Sequence, residues 1–131
     1  MYAWRTTIIF SEEKLKMKKF LIAGLASASL LAVSLAAQKP QTFAGEIMDQ
    51  QCALLGGHSL MQQKGESAKD CTNRCVSIGG KYVLYDAGTK TSYMLDDQKK
   101  PQPFAGEKVQ VTGSLDSATK TIHIASIKSA S

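Results

Sequence analysis

The side chains of this chain that could do chemistry are concentrated in one short segment. All three cysteines and one of the two histidines fall between positions 52 and 75, in the spacing C-x5-H-x12-C-x3-C. These residues are Cys52, His58, Cys71 and Cys75. Thiols form disulfides, act as nucleophiles and, together with imidazoles, bind soft and borderline metal ions. The segment is therefore the candidate functional site.

One interpretation of this segment is a disulfide between Cys52 and either Cys71 or Cys75, with the third cysteine a small buried apolar residue. A bridge that closes a loop of ~20 residues contributes roughly 3 kcal/mol to stability. Such a contribution matters to a small domain, which buries little of its surface on folding. A bridge between Cys71 and Cys75 would distort the helical turn that separates them.

A second interpretation is a metal site, because three thiolates and one imidazole form a complete tetrahedral ligand set for structural zinc. Met61 adds a thioether that suits cuprous copper. A disulfide alone does not need His58, whereas a metal site uses it. A third interpretation is a reactive or redox-active thiol, although C-x3-C differs from the C-x2-C of thioredoxin-like proteins and the heme motif C-x-x-C-H does not occur.

A predicted helix positions two of the cysteines. The Ser-x-x-Asp pattern at 67–70 is typical of a helix N-terminus, and the glycine pair at 79–80 is typical of a C-terminus. Between them, apolar residues recur at helical spacing, which places Cys71 and Cys75 one turn apart on one face. That face can meet the preceding polar loop, 50–66, which carries the rest of the cluster.

Alternation of apolar and polar residues predicts five short strands. Their ranges are 42–49, 81–86, 90–95, 107–115 and 120–128. The predicted fold class is mainly β, a small five-stranded OB-like barrel with one helix inserted between strands 1 and 2. An SH3-like barrel or a small α+β sheet fits the same pattern. We also expect Gly88 at a left-handed turn position, Gly113 at a bend or bulge, and His123 on a solvated strand face.

The segment Phe-Ala-Gly-Glu occurs at 43–46 and again at 104–107. We expect a structural role, in which each phenylalanine closes one end of the barrel and each glycine lets a strand begin with a sharp bend. A duplicated binding site is the alternative interpretation.

The N-terminal region has the pattern of a secretory leader. Met17 and two lysines form a positive n-region, the apolar run 20–35 follows, and small residues fit a cleavage site near Ala36 or Ala37. Residues 17–37 are therefore predicted to be a signal peptide. The run is too short and too rich in alanine and serine for a comfortable membrane span. We expect a periplasmic or secreted protein with no membrane span after cleavage.

This leader also sets the predicted domain boundaries. An n-region normally begins a chain, so we expect translation to start at Met17 and residues 1–16 to be an over-extended start. Residues 38–131 then form the single OB-like domain. They keep 11 of the 16 basic and nine of the 11 acidic residues, a net charge of +2. This weak charge gives no electrostatic case for nucleic acid as a partner.

Residue patterns of common enzymes are missing from the sequence. It has no nucleophile elbow, no phosphate-binding loop and no paired carboxylates with a base nearby. We therefore expect a protein that is not an enzyme and that exists as a monomer.

Several motifs resemble an uncharacterised family of small exported bacterial domains that are described as OB-like. The resemblance is carried by the segments 45–52, 71–76, 80–84, 109–113 and 121–124, and it covers nearly all of 42–128. It implies an OB-like barrel, and it implies that the Cys…His…Cys-x3-Cys cluster belongs to the family pattern. It implies no particular activity.

These observations predict an exported binding or structural module of the bacterial cell envelope, stapled by a disulfide and needing no cofactor. Its partner would be a small ligand or an envelope protein that the sequence does not identify. The alternative is a metal-binding protein that holds zinc or copper through Cys52, His58, Cys71 and Cys75, with Met61 as an additional soft ligand.

Overall fold

The computed structural model describes residues 38–130, where five strands and two α-helices are formed. The strands are β1 (Gln41–Asp49), β2 (Tyr82–Asp86), β3 (Thr91–Leu95), β4 (Lys108–Asp116) and β5 (Thr121–Ser129). The helices are α1 (Gln50–Leu54) and α2 (Ala68–Ser77), and a 3-10 turn spans Gln102–Phe104. The predicted mainly β class is confirmed. The expected start at Met17, the signal peptide and its cleavage site lie outside the described residues.

The five strands form a sheet that closes into a ring in the order β1-β2-β3-β5-β4, because β1 pairs with both β2 and β4. Every pairing is antiparallel except that of β3 with β5. The strands are unevenly joined. The parallel pair shares only two residue pairs, whereas β4 and β5 share eight. The predicted irregularity at Gly113 is confirmed, since the β4–β5 register shifts there.

Two hydrophobic cores lie on opposite faces of β2, and this is why β2 is buried on both faces. Tyr82 and Leu84 belong to the larger core, which β1, β4 and β5 complete with side chains such as Ile47. Val83 and Tyr85 belong to a second core under the helices. That second core contains Met48, Cys52, Ala53 and Cys71, with Met61 and Met94 packed against it. The cysteine cluster is therefore built between the helices and the sheet.

The predicted helix is confirmed as α2. The Ser67 side chain accepts a hydrogen bond from the backbone N–H of Asp70, and the helix ends before Gly79, whose φ is 111°. The helix α1 was not predicted, because five residues are too few to show a helical period. It begins where the carboxylate of Asp49 caps the backbone N–H groups of Gln51 and Cys52.

The hairpin turn between β2 and β3 departs from the sequence prediction. Gly88 is not the left-handed residue; Lys90 is, with a φ of 54°. The reason is that the Asp86 carboxylate accepts hydrogen bonds from the backbone N–H groups of Gly88 and Thr89, which moves the left-handed position to the end of the turn. The turn between β4 and β5 repeats this arrangement, with Lys120 at a φ of 52°.

The repeated Phe-Ala-Gly-Glu segment has different roles at its two positions. Phe43 and Phe104 both pack against the larger core. Gly106 precedes β4 with a φ of 73°, as the predicted bend requires, but Gly45 lies inside β1 and starts no strand. A side chain at Gly45 would approach the backbone carbonyl of Tyr85 to 2.6 Å. The glycine there is explained by this close contact rather than by a bend.

None of the helices in the described range, 38–130, is both long enough and apolar enough to cross a membrane.

Candidate functional site

The candidate site lies between the outer face of β1 and β2 and the two helices. Helix α1 supplies Cys52, helix α2 supplies Cys71 and Cys75, and the connection between the helices supplies His58. All three cysteines are buried, and the His58 side chain is 10% exposed. The structure thus brings together all four residues that the sequence singled out, and it arranges them in two overlapping groups.

The first group consists of Cys52, His58 and Cys71, whose ligand atoms all lie within 4.8 Å of one another. The Sγ atoms of Cys52 and Cys71 are 3.9 Å apart. A disulfide requires about 2.05 Å between the sulfurs. The predicted disulfide is therefore not formed, and all three cysteines of the described chain are free thiols.

His58 is held by one ring nitrogen only. Its Nε2 is 2.8 Å from Oε1 of Glu46 on β1. Its Nδ1 is buried and has no hydrogen-bond partner within residues 38–130. Buried polar atoms of this kind are uncommon, because leaving one unpaired costs about 1–3 kcal/mol. An acceptor on Nε2 fixes the tautomer in which Nδ1 carries a lone pair, as in carboxylate–histidine–metal arrangements.

The second group consists of Asp49, Cys52 and Cys75, whose ligand atoms also lie within 4.8 Å of one another. Asp49 is fully buried, although it carries a carboxylate. That carboxylate receives hydrogen bonds from two backbone N–H groups of α1. Cys52 belongs to both groups and is the centre of the cluster.

Burial keeps two of the thiols protonated when no metal ion is present. The pKa of Cys52 is raised far above its usual value by desolvation first, and then by the neighbouring carboxylate of Asp49. The pKa of Cys75 is raised by the same two causes in the same order. Neither thiol is thus a reactive nucleophile by itself, because the thiolate is the nucleophilic form.

An ion pair anchors the connection between the helices onto α2. Arg74 donates hydrogen bonds to both carboxylate oxygens of Glu66 and to the backbone carbonyl of Met61. The hydrogen bond from Arg74 lowers the pKa of Glu66 to about 2, so Glu66 stays ionised. The same guanidinium lies 3.8 Å from Sγ of Cys71. Arg74 therefore holds the segment that carries His58 and also faces the first group.

The other predicted residues have simpler surroundings. Met61 is partly buried and packs against the second core, beside the cluster. His123 lies on the exposed face of β5, as predicted, where its Nδ1 is 3.1 Å from the Asp96 carboxylate.

Sequence reasoning missed three residues of the site, namely Glu46, Asp49 and Arg74. Glu46 shares its strand parity with Met48, which packs beside Cys52, so the parity of β1 could have indicated it. Asp49 precedes Gln50-Gln51-Cys52 as a helix-capping residue does. Arg74 is three residues after Cys71, which places both on neighbouring positions of a helix surface.

A surface cavity of about 280 Å³ lies across β1, β2 and β4, and no cysteine lines it. It is lined by Gly45, Glu46, Tyr85, Asp86, Lys108 and Val109, among others. Pockets for small organic ligands are usually about 300–1,000 Å³. The cavity is therefore slightly smaller than that range.

Comparison of this chain with protein-family models, with curated proteins and with solved structures found no match. The family resemblance drawn from the sequence motifs therefore stays a prediction.

Proposed function

We propose that this chain is an exported, non-enzymatic metal-binding protein that holds a zinc ion through Cys52, His58 and Cys71. The observation that carries the proposal is His58, whose buried Nδ1 has no partner within residues 38–130 and whose ring belongs to one ligand group with two free thiols. A ring nitrogen in this position gains a partner when a metal ion binds. A disulfide would leave it unpaired.

The spacing of the sulfurs supports this proposal. Zinc binds thiolate sulfur at about 2.3 Å with tetrahedral geometry, which separates two ligating sulfurs by about 3.8 Å. The Sγ atoms of Cys52 and Cys71 are 3.9 Å apart. Zinc would therefore fit between them with almost no movement of the helices.

Charge balance also favours a divalent ion in this buried place. Two thiolates and one neutral imidazole neutralise a +2 ion, so the occupied first group carries no net charge. Burial makes the Cys52 thiolate unfavourable without a metal ion. Zinc replaces the thiol proton with a stronger positive partner, and binding then releases protons.

The scaffold in this proposal is an OB-like barrel. The strand order β1-β2-β3-β5-β4, with β1 paired to both β2 and β4, supports that assignment. The cluster lies in the β1–β2 connection, one of the loops that OB barrels use for binding. The leader pattern supports export to the periplasm or beyond.

A disulfide-stapled binding module is the competing function. It is favoured by the closeness of the Cys52 and Cys71 sulfurs, which a small movement would bring to bonding distance. It gives no role to Nδ1 of His58 or to the carboxylate that holds the ring. Its small-ligand version also depends on a cavity slightly smaller than the usual range.

Metal analysis of the full-length chain, purified without chelators and with its thiols reduced, tests the proposal. We expect at least one equivalent of tightly bound zinc in the wild type, and one equivalent less in His58→Ala and in Cys71→Ser. His123→Ala is the matched control, because it removes the other histidine, which is exposed. It should bind zinc like the wild type.

Less than about a tenth of an equivalent of metal in the wild-type protein, after zinc addition and gel filtration, would overturn the proposal. Alkylation followed by intact-mass measurement of protein isolated without reductant identifies the competing function. In that case two thiols of the protein, unfolded in denaturant so that burial does not protect them, would be resistant to alkylation until reductant is added.

A further inference from the structure

Cys52 belongs to two ligand groups, and the zinc ion proposed above uses only one of them. The remaining group pairs Cys52 with Asp49 and Cys75, all buried, with ligand atoms within 4.8 Å of one another. A cluster of three thiols, one imidazole and one carboxylate contains more donor atoms than a single tetrahedral ion can bind.

We propose that Asp49, Cys52 and Cys75 bind a second divalent ion, with the sulfur of Cys52 bridging the two ions. This inference rests on the proposed zinc site. A thiolate sulfur has three lone pairs, so it can ligate two ions at once, and carboxylate oxygen is an established zinc ligand. Bridged two-metal sites hold their ions about 3.5–4 Å apart.

The charges of the whole cluster point to two ions rather than one. A zinc ion bound to Cys52 and Cys71 leaves the carboxylate oxygens of Asp49, which accept hydrogen bonds from two backbone N–H groups of α1, and the thiol of Cys75 without a metal partner. Buried charged groups in proteins are usually paired or coordinate a metal ion. Two divalent ions balance the four anionic ligands of the cluster, which are three thiolates and one carboxylate.

The positions of the helices explain how one cysteine serves both ions. Cys71 and Cys75 are one turn apart on α2 and both face the sheet. Cys52 approaches them from α1, with His58 near one and Asp49 near the other. Each proposed ion would thus have three protein ligands and one open position.

Zinc titration of the full-length, reduced chain against a chromophoric chelator tests this inference. We expect two equivalents in the wild type and one equivalent in both Cys75→Ala and Asp49→Asn. Asparagine caps a helix as well as aspartate does, so the second variant keeps the start of α1 while it removes the charge. His123→Ala should bind two equivalents.

Cobalt substitution tests the bridge separately. Two high-spin Co²⁺ ions that share a thiolate couple magnetically, so the EPR intensity per cobalt should fall when the second equivalent binds. Intensity that doubles with the second equivalent would contradict the bridge.

The titration separates this inference from the proposed function. No bound zinc in the wild type would overturn both. One equivalent in the wild type would overturn the second site and leave the first. The same conclusion would hold if Cys75→Ala lowered the affinity for that single zinc ion, because Cys75 would then be its fourth ligand.

Discussion

At the scale of single residues, the orientation of His58 depends on Glu46. The carboxylate of Glu46 lies 2.8 Å from Nε2, and the buried Nδ1 has no hydrogen-bond partner within residues 38–130. An anionic partner on one ring nitrogen makes the other nitrogen a better metal ligand and keeps the ring from rotating. In the proposed site, Glu46 would therefore be a positioning residue, which acts on the metal ion through His58.

Substitution of Glu46 by Gln should weaken zinc binding without unfolding the protein. The amide still accepts a hydrogen bond from Nε2 but lacks the negative charge. Loss of such a partner typically lowers metal affinity 10–100-fold, and we expect about tenfold here because the hydrogen bond is kept. Competition with a chelator measures the affinity, and the stoichiometry should stay unchanged.

Glu107→Gln is the matched control for that substitution. Glu107 has the same position in the second Phe-Ala-Gly-Glu segment, but within residues 38–130 its side chain accepts a hydrogen bond only from the hydroxyl of Ser129, at the surface. Its zinc affinity should equal that of the wild type. Equal affinities for both variants would mean that Glu46 does not support a metal ligand.

At the scale of elements, the first turn of helix α2 packs against the backbone just before β4. Gly106 lies under the first turn of α2, where any side chain would overlap the backbone of Ala68 and Lys69. The backbone N–H of Gly106 also donates to the carbonyl of Ile47 on β1 at 2.7 Å. This contact sets the height of α2 above the sheet, and with it the positions of Cys71 and Cys75.

Gly106→Ala should lower the free energy of unfolding by more than the cost of placing an alanine at a left-handed backbone position. A side chain at a positive φ costs about 1–2 kcal/mol, and forcing extra volume into a packed contact adds about 1–3 kcal/mol. Gly65→Ala is the control, because Gly65 has a φ of 80° but open space around it. Urea unfolding measures both variants. Equal losses of unfolding free energy in the two variants would contradict the proposed packing of α2 against Gly106.

The elements differed in how far the sequence could predict them. The five strands and α2 follow from their periodicity and from the Ser67 cap, and the structure has them within a few residues. Helix α1 is too short to show a helical periodicity in the sequence. Its N-cap, Asp49, is also the last residue of β1, so the boundary between the two elements is not visible in the sequence. The Gly88 prediction was wrong because a side-chain carboxylate, rather than glycine, shapes that turn.

The site was predictable as a set of residues but not as an arrangement. Spacing alone grouped the cysteines with His58. The division into two groups that share Cys52 depends on how α1 approaches α2 across the sheet, and local sequence does not encode that. Glu46 joins the cluster because the connection between the helices brings His58 back to β1.

At the scale of the whole molecule, the helical layer contributes a second core to a small barrel. That core consists of few residues, three of them thiol-bearing or thioether-bearing side chains such as Met48. The parallel pairing of β3 with β5 adds only two residue pairs to the closed sheet. A domain of this size buries little apolar surface, so a bound ion that joins α1, α2 and their connection would be a large part of its stability.

Zinc should therefore raise the melting temperature of the reduced, full-length protein substantially. A ligand present at a thousand times its Kd stabilises the folded state by about 4 kcal/mol, and each kcal/mol shifts the Tm of a domain this small by about 4–8 °C. We expect a rise of about 15–30 °C, measured by the far-UV circular dichroism of the strands during heating. Cys52→Ala removes the ligand shared by both groups and should abolish the rise, whereas His123→Ala should keep it. A zinc-independent Tm in the reduced wild type would mean that no ion joins the helices to the barrel.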